Sequence, residues 1–407
     1  LDVCWELWPM SYHIEKESSL QRCKTGMIKP RALMVASVAS MHDLFNMDNI
    51  YILLELGYDV DVAANFESGS TTSQERVEEY RQELVNRGIG VYHIPIPRKL
   101  DKIEKICTSY HMIRELTEKN RIIHCHSPIG GVICRLACRK SRNEFGTKII
   151  YTAHGFHFFK GADWKAWLFF YPAEKICAKF TDVIITINQE DYKIAQKFNA
   201  KKIEHVPGVG VRTEQLRNML IDPAAKRHEL GLTSDNFVFM SAGELSVRKN
   251  HEVAIRAFAE IEEPGARYLI VGLGELEAKL KKLVLKLGLQ NRIFFLGYRA
   301  DVKEILQVAD AFVFPSLQEG LPVALMEAMT VGLPVVCSRI RGNTDLIEDG
   351  RGGYLYDCHD VSGFANGMRR IMNASDTGMG ETNIETMKQF DIGIVHEYMK
   401  RIYGEVV

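Results

Sequence analysis

Residues 318–338 read QEGLPVALMEAMTVGLPVVCS. The run opens with a Gly-Leu-Pro turn, continues as a helix former and ends, after a second Gly-Leu-Pro, in a short apolar strand. Another apolar run, DAFVFPS (310–316), stands just before it. Short Val/Ile-rich strands separated by a helix are the pattern of a parallel sheet covered on both faces. Two carboxylates sit in this unit. Glu319 is on the loop, and Glu327 lies about one and a half turns into the helix.

Outward from this unit the same alternation runs through most of the chain. Toward the N-terminus, ALMVASVA (32–39), VDVAAN (60–65), IGVYHIPI (89–96), RIIHCH (121–126), TKIIYTAH (147–154) and DVIITIN (182–188) read as strands. NMDNIYILLELG (46–57) and SQERVEEYRQELVNRG (73–88) read as helices closed by glycine, and further helices fall near 101–119 and 129–140. The pattern pauses at IEHVPGVGVRTEQL (203–216), where Pro207, Gly208 and Gly210 suggest a hinge. It then restarts with strands at 237–244, 267–274, 292–298, 311–316 and 334–338 and helices near 250–260, 275–287, 301–308 and 323–331. The expected fold is α/β, with two doubly wound halves whose ligand sites lie at the carboxyl ends of the strands and face one another across a cleft. The expected boundaries are 27–208 and 209–390, with a closing helix over 391–407 crossing back to the first half. Its apolar positions are Ile394, Val395, Tyr398, Met399, Ile402 and Tyr403.

Composition agrees with two globular domains. The chain has 407 residues, 46% of them hydrophobic and 25% charged, with a formal net charge of −1. No global field recruits nucleic acid or an anionic surface. No run of apolar residues reaches the length needed to span a bilayer. Nine cysteines, most within apolar runs such as VICRLAC and PVVCS, read as reduced thiols of a cytosolic protein. Residues 1–26 lack any clean period and read as a disordered or non-native extension.

Several loops at strand ends carry chemistry. Gly320 and Leu321 lead into a helix start whose unpaired N–H groups suit an anion or a sugar hydroxyl. A carboxylate such as Glu319 or Glu327 accepts paired hydrogen bonds from a vicinal diol. In SAGELSVRKNHEVAIRAF (241–258), Arg248 and Lys249 follow a strand and suit a diphosphate. Gly272 and Gly274, between strand and helix, are donor-binding candidates, though they lack the third glycine of a dinucleotide fingerprint and a tight turn is the simpler reading. Tyr298 and Arg299 end the next strand, where they either face a base or form an exposed loop. In the first half, His154 ends a strand and is placed to touch a reacting sugar. His124 and His126 share a strand face, with Gly130 opening the following helix. Ser37–Ser40 reads as a small-residue loop able to admit an acceptor, so Ser40, His126 and Gly130 are acceptor-side candidates. Asp59 and Asp61 resemble a metal-binding pair, but their alternation with valines at a strand start is structural. The aromatic, lysine-bearing stretch ADWKAWLFFYPAEKICAKF (162–180) reads either as helix packing or as a membrane-interface contact.

With those residues in place the chain resembles glycosyltransferase family 4, retaining enzymes of GT-B fold, over about residues 30–407. The most specific match is Glu319-x7-Glu327. VGLGELEAKL, FLGYRADVKEIL and ADAFVFPS follow the family's order. MVASVASMHDLFNMDNI, HCHSPIGG, TAHGFHFFKGA and VPGVGV look like the bacterial capsular and exopolysaccharide branch. The resemblance implies a nucleoside-diphosphate sugar donor, with UDP favoured, and a glycan or polyprenyl-linked oligosaccharide acceptor. It implies catalytic roles for His154, Lys249 and Glu319, with Glu319 on the donor sugar's hydroxyls, Glu327 on the ribose, Lys249 on the diphosphate and His154 near the reacting carbon. It further implies retention by front-face attack, no metal and no cofactor, and a cytoplasmic enzyme at the inner face of the membrane. Two departures stand out. Gly243-Glu244 replaces the family's Gly-Arg, with Arg248 as a substitute, and Ser37–Ser40 replaces a glycine-rich loop. A nucleotide-sugar 2-epimerase of the same architecture and a non-catalytic sugar-nucleotide-binding subunit are the competing readings.

Overall fold

The computed structural model describes residues 29–99, 102–374 and 378–406. The extension expected over 1–26, with Cys4 and Cys23, lies outside these residues. The fold divides into two compact units. One takes the described chain up to Val209 together with the residues from His396 onward, and the other takes Gly210–Val395. The last helix, Ile392–Val406, begins in the second unit and ends in the first.

The first unit is built on strands β1 (Arg31–Val38), β2 (Asp59–Asn65), β3 (Gly90–His93), β4 (Ile122–His126), β5 (Lys148–Ala153), β6 (Val183–Thr186) and β7 (Lys202–His205). They form one parallel sheet in the order β3-β2-β1-β4-β5-β6-β7. The second unit is built on β8 (Phe237–Ala242), β9 (Ala266–Val271), β10 (Ile293–Gly297), β11 (Ala311–Phe314), β12 (Val335–Ser338) and β13 (Gly353–Tyr356), in the order β10-β9-β8-β11-β12-β13. Both are doubly wound. The strand order reverses between β1 and β4 in one sheet and between β8 and β11 in the other, and ligands of such sheets sit outside the carboxyl ends at that reversal.

The sequence pattern explains these elements. β4 is buried at every position and β11 likewise, because helices cover both faces. Helix Gln74–Asn86 buries Val77, Tyr80 and Leu84, a spacing of three and four that lines one face. The Ser73 side chain caps it by accepting from the Arg76 N–H, and Gly88, at φ +75°, ends it. Each fully buried Leu, Ile or Phe of the two cores is worth about 1.5–3 kcal/mol.

Four expectations need correction. The stretch after β1 is no loop: helix Ala39–Phe45 starts at once, and its small residues Ala39 and Ser40 are packed in the interior. Small residues there serve close packing, which composition alone cannot separate from a loop. The pause near 203 contains strand β7, too short and too polar to show a period. Strand β13 and helices Val361–Asn373 and Met379–Met387 extend the second unit beyond the strands read from sequence. In the last helix Val395, Met399, Ile402 and Tyr403 are buried, whereas Ile394 and Tyr398 are exposed. The cysteines among the described residues are all free, five of them buried, and Cys134 and Cys138 place their sulfurs 3.7 Å apart.

Candidate active site

In the second unit the loops leaving β8 and β11 meet, because those strands are neighbours where the order reverses. After β8 the chain turns at Gly243, makes a short 3-10 turn over Val247–Lys249 and enters helix His251–Ala259. Asn250 adopts the left-handed conformation, φ +53°, at that entry. Its amide donates to the Pro315 and Cys358 carbonyls at 3.0 and 2.7 Å, which ties the loop to the end of β11. Sequence reasoning passed over Asn250. An asparagine before a helix is its only signal.

Lys249 then runs between Gly243 and the Phe314 ring, with Nζ 4.6 Å from the ring centroid. Its Nζ donates to Glu319 Oε1 at 2.7 Å, and Arg248 Nη1 donates to the same oxygen at 2.9 Å. Glu319 and the Lys249 side chain are nearly buried, while Arg248 is half exposed. Burial draws the Lys249 ammonium below the ordinary lysine range, with the Glu319 carboxylate opposing the shift. Two cations thus converge on one carboxylate, and the Glu244 carboxylate also acts on the Lys249 ammonium. Glu244, which replaces the expected arginine, is exposed.

The Glu319 loop is braced from behind. Arg341 Nε donates to the Glu319 carbonyl at 3.1 Å, and a Cβ on Gly342 would stand 2.4 Å from the Gly320 oxygen. The N–H groups of Gly320 and Leu321 meet no acceptor among the described residues. Helix Val323–Thr330 follows, with no side-chain cap. Its first N–H groups are therefore open to a ligand. Glu327 sits on this helix, with Lys303 Nζ 3.7 Å from Oε1. Burial raises the Glu327 carboxyl pKa, with Lys303 opposing.

Other sequence candidates have different surroundings. A Cβ on Gly272 would stand 2.0 Å from the Gly243 oxygen, and one on Gly274 2.4 Å from the Leu245 oxygen. These glycines let the turn after β9 press against the Lys249 loop. Tyr298 is exposed. The Arg299 guanidinium is taken up by Asp301, at 2.7 Å from Nε, and by Glu229, so ion pairs hold it and it does not stand free toward a base.

In the first unit a histidine cluster occupies the carboxyl ends of β4 and β5. His126 Nδ1 lies 3.1 Å from His154 Nε2. The His124 and His126 ring centroids are 4.2 Å apart. His124 is held by Tyr403 Oη at 2.8 Å and Thr152 Oγ1 at 2.7 Å. His42, from the helix after β1, packs edge-on to His126. Burial lowers all four pKa values: to about 4 for His42 and His154, about 3 for His124, and well down for His126. All four are neutral at pH 7, and part of His154 reaches the surface. Sequence reasoning missed His42 and Tyr403. Tyr403 was legible only as an apolar position of the last helix. Among the described residues no group of three or more His, Cys, Asp or Glu side chains is arranged to hold a metal. Asp61 is buried and paired with Arg31.

Ser40 and Gly130 serve the packing of this region. The Ser40 hydroxyl accepts from the Thr71 N–H at 3.0 Å. The Gly130 N–H donates to Ser37 Oγ at 3.2 Å, where an added Cβ would be only 2.8 Å away.

Comparison with known proteins bears on the same residues. The family model described as Glycosyl transferases group 1 matches residues 223–385, and that described as Glycosyltransferase Family 4 matches residues 53–214. EpsD of Bacillus subtilis, named as a glycosyltransferase, is 32% identical over 92% of this chain and 96% of its own length. The chain belongs to the family 4 glycosyltransferases. A further relative, from Escherichia coli, is 32% identical over 66% of this chain and 70% of its own length. It is named UDP-Gal:alpha-D-GlcNAc-diphosphoundecaprenol alpha-1,3-galactosyltransferase. HepE of Anabaena, solved with UDP and glucose, superposes with a TM-score of 0.75 over 92% of this chain and 100% of its own, at 18% identity. This likeness is one of fold, the GT-B pairing of two Rossmann-like domains. For this glycosyltransferase the residues matched by the group 1 model include the whole Arg248–Lys249–Glu319 cluster.

Proposed function

We propose that this glycosyltransferase moves a sugar from a nucleoside-diphosphate sugar, with UDP favoured, to a glycan or polyprenyl-linked oligosaccharide during capsular or exopolysaccharide assembly. The observation that carries the reading is the convergence of Lys249 and Arg248 on Glu319 beside the open helix start after Leu321. A diphosphate departing from a sugar gains negative charge as the bond breaks. Lys249 and the free N–H groups stabilise that charge with no reorganisation at the moment of reaction. Arg248 stands in for the arginine replaced by Glu244. Glu319 shares its oxygens between the cations and the sugar's hydroxyls and so orients the ring toward the leaving group. Glu327 accepts from the ribose diol, and Gly320 and Leu321 donate to the donor. Neutral His154 contacts the sugar near the reacting carbon.

Both glutamates are assigned to hydroxyls, which leaves no carboxylate as nucleophile. The resemblance to a retaining family implies retention, reached without such a nucleophile by front-face attack in which the departing phosphate accepts the acceptor's proton and no metal is needed. The UDP preference is supported by HepE, solved with UDP, and by the UDP-Gal donor in the relative's name. The acceptor class is supported by the diphosphoundecaprenol in that name. The setting proposed is the inner face of the cytoplasmic membrane.

The test is incubation of the purified chain with UDP-sugars and lipid-linked or soluble glycans, with and without a chelator. Free UDP and an α-linked product from an α-linked donor, unaffected by the chelator, are expected. An inverted product would overturn retention. Loss of activity on chelation would overturn metal independence, and an epimerised sugar nucleotide without UDP release would overturn transfer itself.

A further inference from the structure

The helix Trp164–Ala178 of the first unit turns Glu174, Cys177 and Ala178 inward, with Phe170 and Tyr171 packed against the apolar cluster. Its outer surface carries Trp164, Trp167, Leu168, Phe169 and Ile176, with Trp164 and Phe169 67% and 63% exposed. No other helix among the described residues leaves more than two large apolar side chains exposed. Single exposed apolar residues are ordinary, but a contiguous cluster marks a contact surface. No described helix is long and apolar enough to cross a membrane, so this one can only lie against its partner.

The charge on the same surface is mostly positive. Lys165 and Lys175 lie on the helix, with Lys160 and Lys179 flanking it, and all four are exposed. Three acids lie nearby, and each accepts a hydrogen bond, Glu190 from the Lys160 N–H at 2.6 Å. Asp163 caps the helix by accepting from the Lys165 N–H, and Glu174 is buried against Arg135 at 2.7 Å. Among the described residues none of these four lysine ammonium groups pairs with a carboxylate. Lys165 and Lys175 Nζ instead stand 5.9 Å from the Trp164 and Tyr171 ring centroids. Lysine stems can lie along apolar surface while their ammonium groups stay in water.

We propose that Trp164–Ala178 is the contact surface of this protein for an anionic lipid bilayer. Trp164, Leu168, Phe169 and Ile176 enter the interfacial layer, where tryptophan is favoured, and the four lysines meet the headgroups. A second copy of the chain fits less well. Self-association through this face would bring like-charged lysine clusters together. The inference goes beyond sugar transfer and is read without any transfer reaction.

The experiment is flotation of the full chain with phosphatidylcholine vesicles, with or without one-third phosphatidylglycerol. Binding to the anionic vesicles, weak binding to the neutral ones and release at high salt are expected. Trp164→Ala with Phe169→Ala should lower partitioning at least about tenfold, since each ring removes a large buried area. Reversing Lys165, Lys175 and Lys179 to glutamate should lower it about a hundredfold or more, each lysine being worth about fivefold near such a surface. Because these side chains are exposed, melting temperatures should stay near that of the parent chain. Absence of binding to anionic vesicles at low salt would overturn the proposal, as would unchanged binding by both variants. A dimer that Trp164→Ala dissociates, without lipid binding, would assign the surface to a second copy.

Discussion

Lys249 Nζ lies 2.7 Å from Glu319 Oε1, although 70 residues separate them. The pair joins two loops whose strands neighbour each other where the sheet order reverses. It also binds together the residue expected to hold a diphosphate and the one expected to hold a sugar.

Truncating Lys249 should abolish most turnover. Lys249→Ala leaves Glu319 paired with Arg248, so the fold keeps a partner for the carboxylate. One preorganised donor to a developing anion is worth about 10²–10³ in kcat. Single-turnover UDP release should fall by that factor, with a smaller fall for Arg248→Ala, which is half exposed. Equal activity in Lys249→Ala and the parent enzyme would remove Lys249 from the mechanism.

Truncating Glu319 should destabilise the fold as well as slow transfer. The change leaves the nearly buried Lys249 ammonium without its carboxylate. Breaking a fully buried pair costs about 3–5 kcal/mol. Lys249 is slightly exposed and, with its pKa already lowered by burial, can shed its proton, which reduces this toward about 2 kcal/mol. Urea unfolding of Glu319→Ala against Lys249→Ala checks it, the first being the less stable.

Acid should weaken the first unit before the second. Histidines 42, 124 and 154 titrate near 4, 3 and 4 in the folded state, against about 6.5 when unfolded, and His126 is lowered too. Between pH 6.5 and these values the unfolded chain binds protons that the folded one does not, so stability falls as pH falls. Each histidine adds up to about 1.4 kcal/mol per pH unit in that window. The second unit has one comparable group, His251, lowered to about 4. Of the four tryptophans, Trp164 and Trp167 belong to the first unit and Trp5 and Trp8 lie outside the described residues, so in a Trp5→Phe, Trp8→Phe background fluorescence reports the first unit alone. Urea midpoints by fluorescence should drop steeply from pH 6.5 to 5 and stay flat from 7 to 8. Coincident loss of both units in that window counts against the histidine cluster as the cause.

Exchange at His126 should separate packing from proton placement. His126 Nε2 is buried without a partner, so its proton belongs on Nδ1, donating to His154 Nε2. His154 then presents Nδ1–H outward. His126→Asn supplies an amide donor near the same place, whereas His126→Phe supplies none. The asparagine variant should keep most of kcat and the phenylalanine variant should lose about tenfold or more, in the range of a misplaced proton donor. Nitrogen-15 shifts of His154 that place its proton on Nε2 would sink this assignment.

Gly272→Ala should displace the lysine loop from a distance. Its Cβ would meet the Gly243 oxygen at 2.0 Å, and its φ of +136° disfavours any side chain. A cost of about 1–3 kcal/mol is expected, together with reduced transfer. Gly88→Ala, also at positive φ but with nothing nearby, should cost about 1 kcal/mol or less and leave transfer unchanged. Melting curves and turnover of the two variants give the comparison.

Short continuous apolar runs alternating with period-3.6 segments by themselves determined that this protein has two parallel, doubly wound sheets, because strands covered on both faces must be continuously apolar and covering helices must be one-faced. They also placed Glu319, Lys249 and His154 at strand carboxyl ends. Short or polar elements escaped: β7 has too few apolar residues for a period, and the helix after β1 opens on two small residues, Ala39 and Ser40, that read equally as a loop. Only the tertiary structure decided which side chains meet. The pairing of Lys249 with Glu319, the hold of Tyr403 on His124 and the bracing of the Lys249 loop by Gly272 and Asn250 depend on strand order, and strand order is set by packing between residues far apart in the chain. Local pattern reports the environment of each residue, while its partners follow from how the whole sheet is wound.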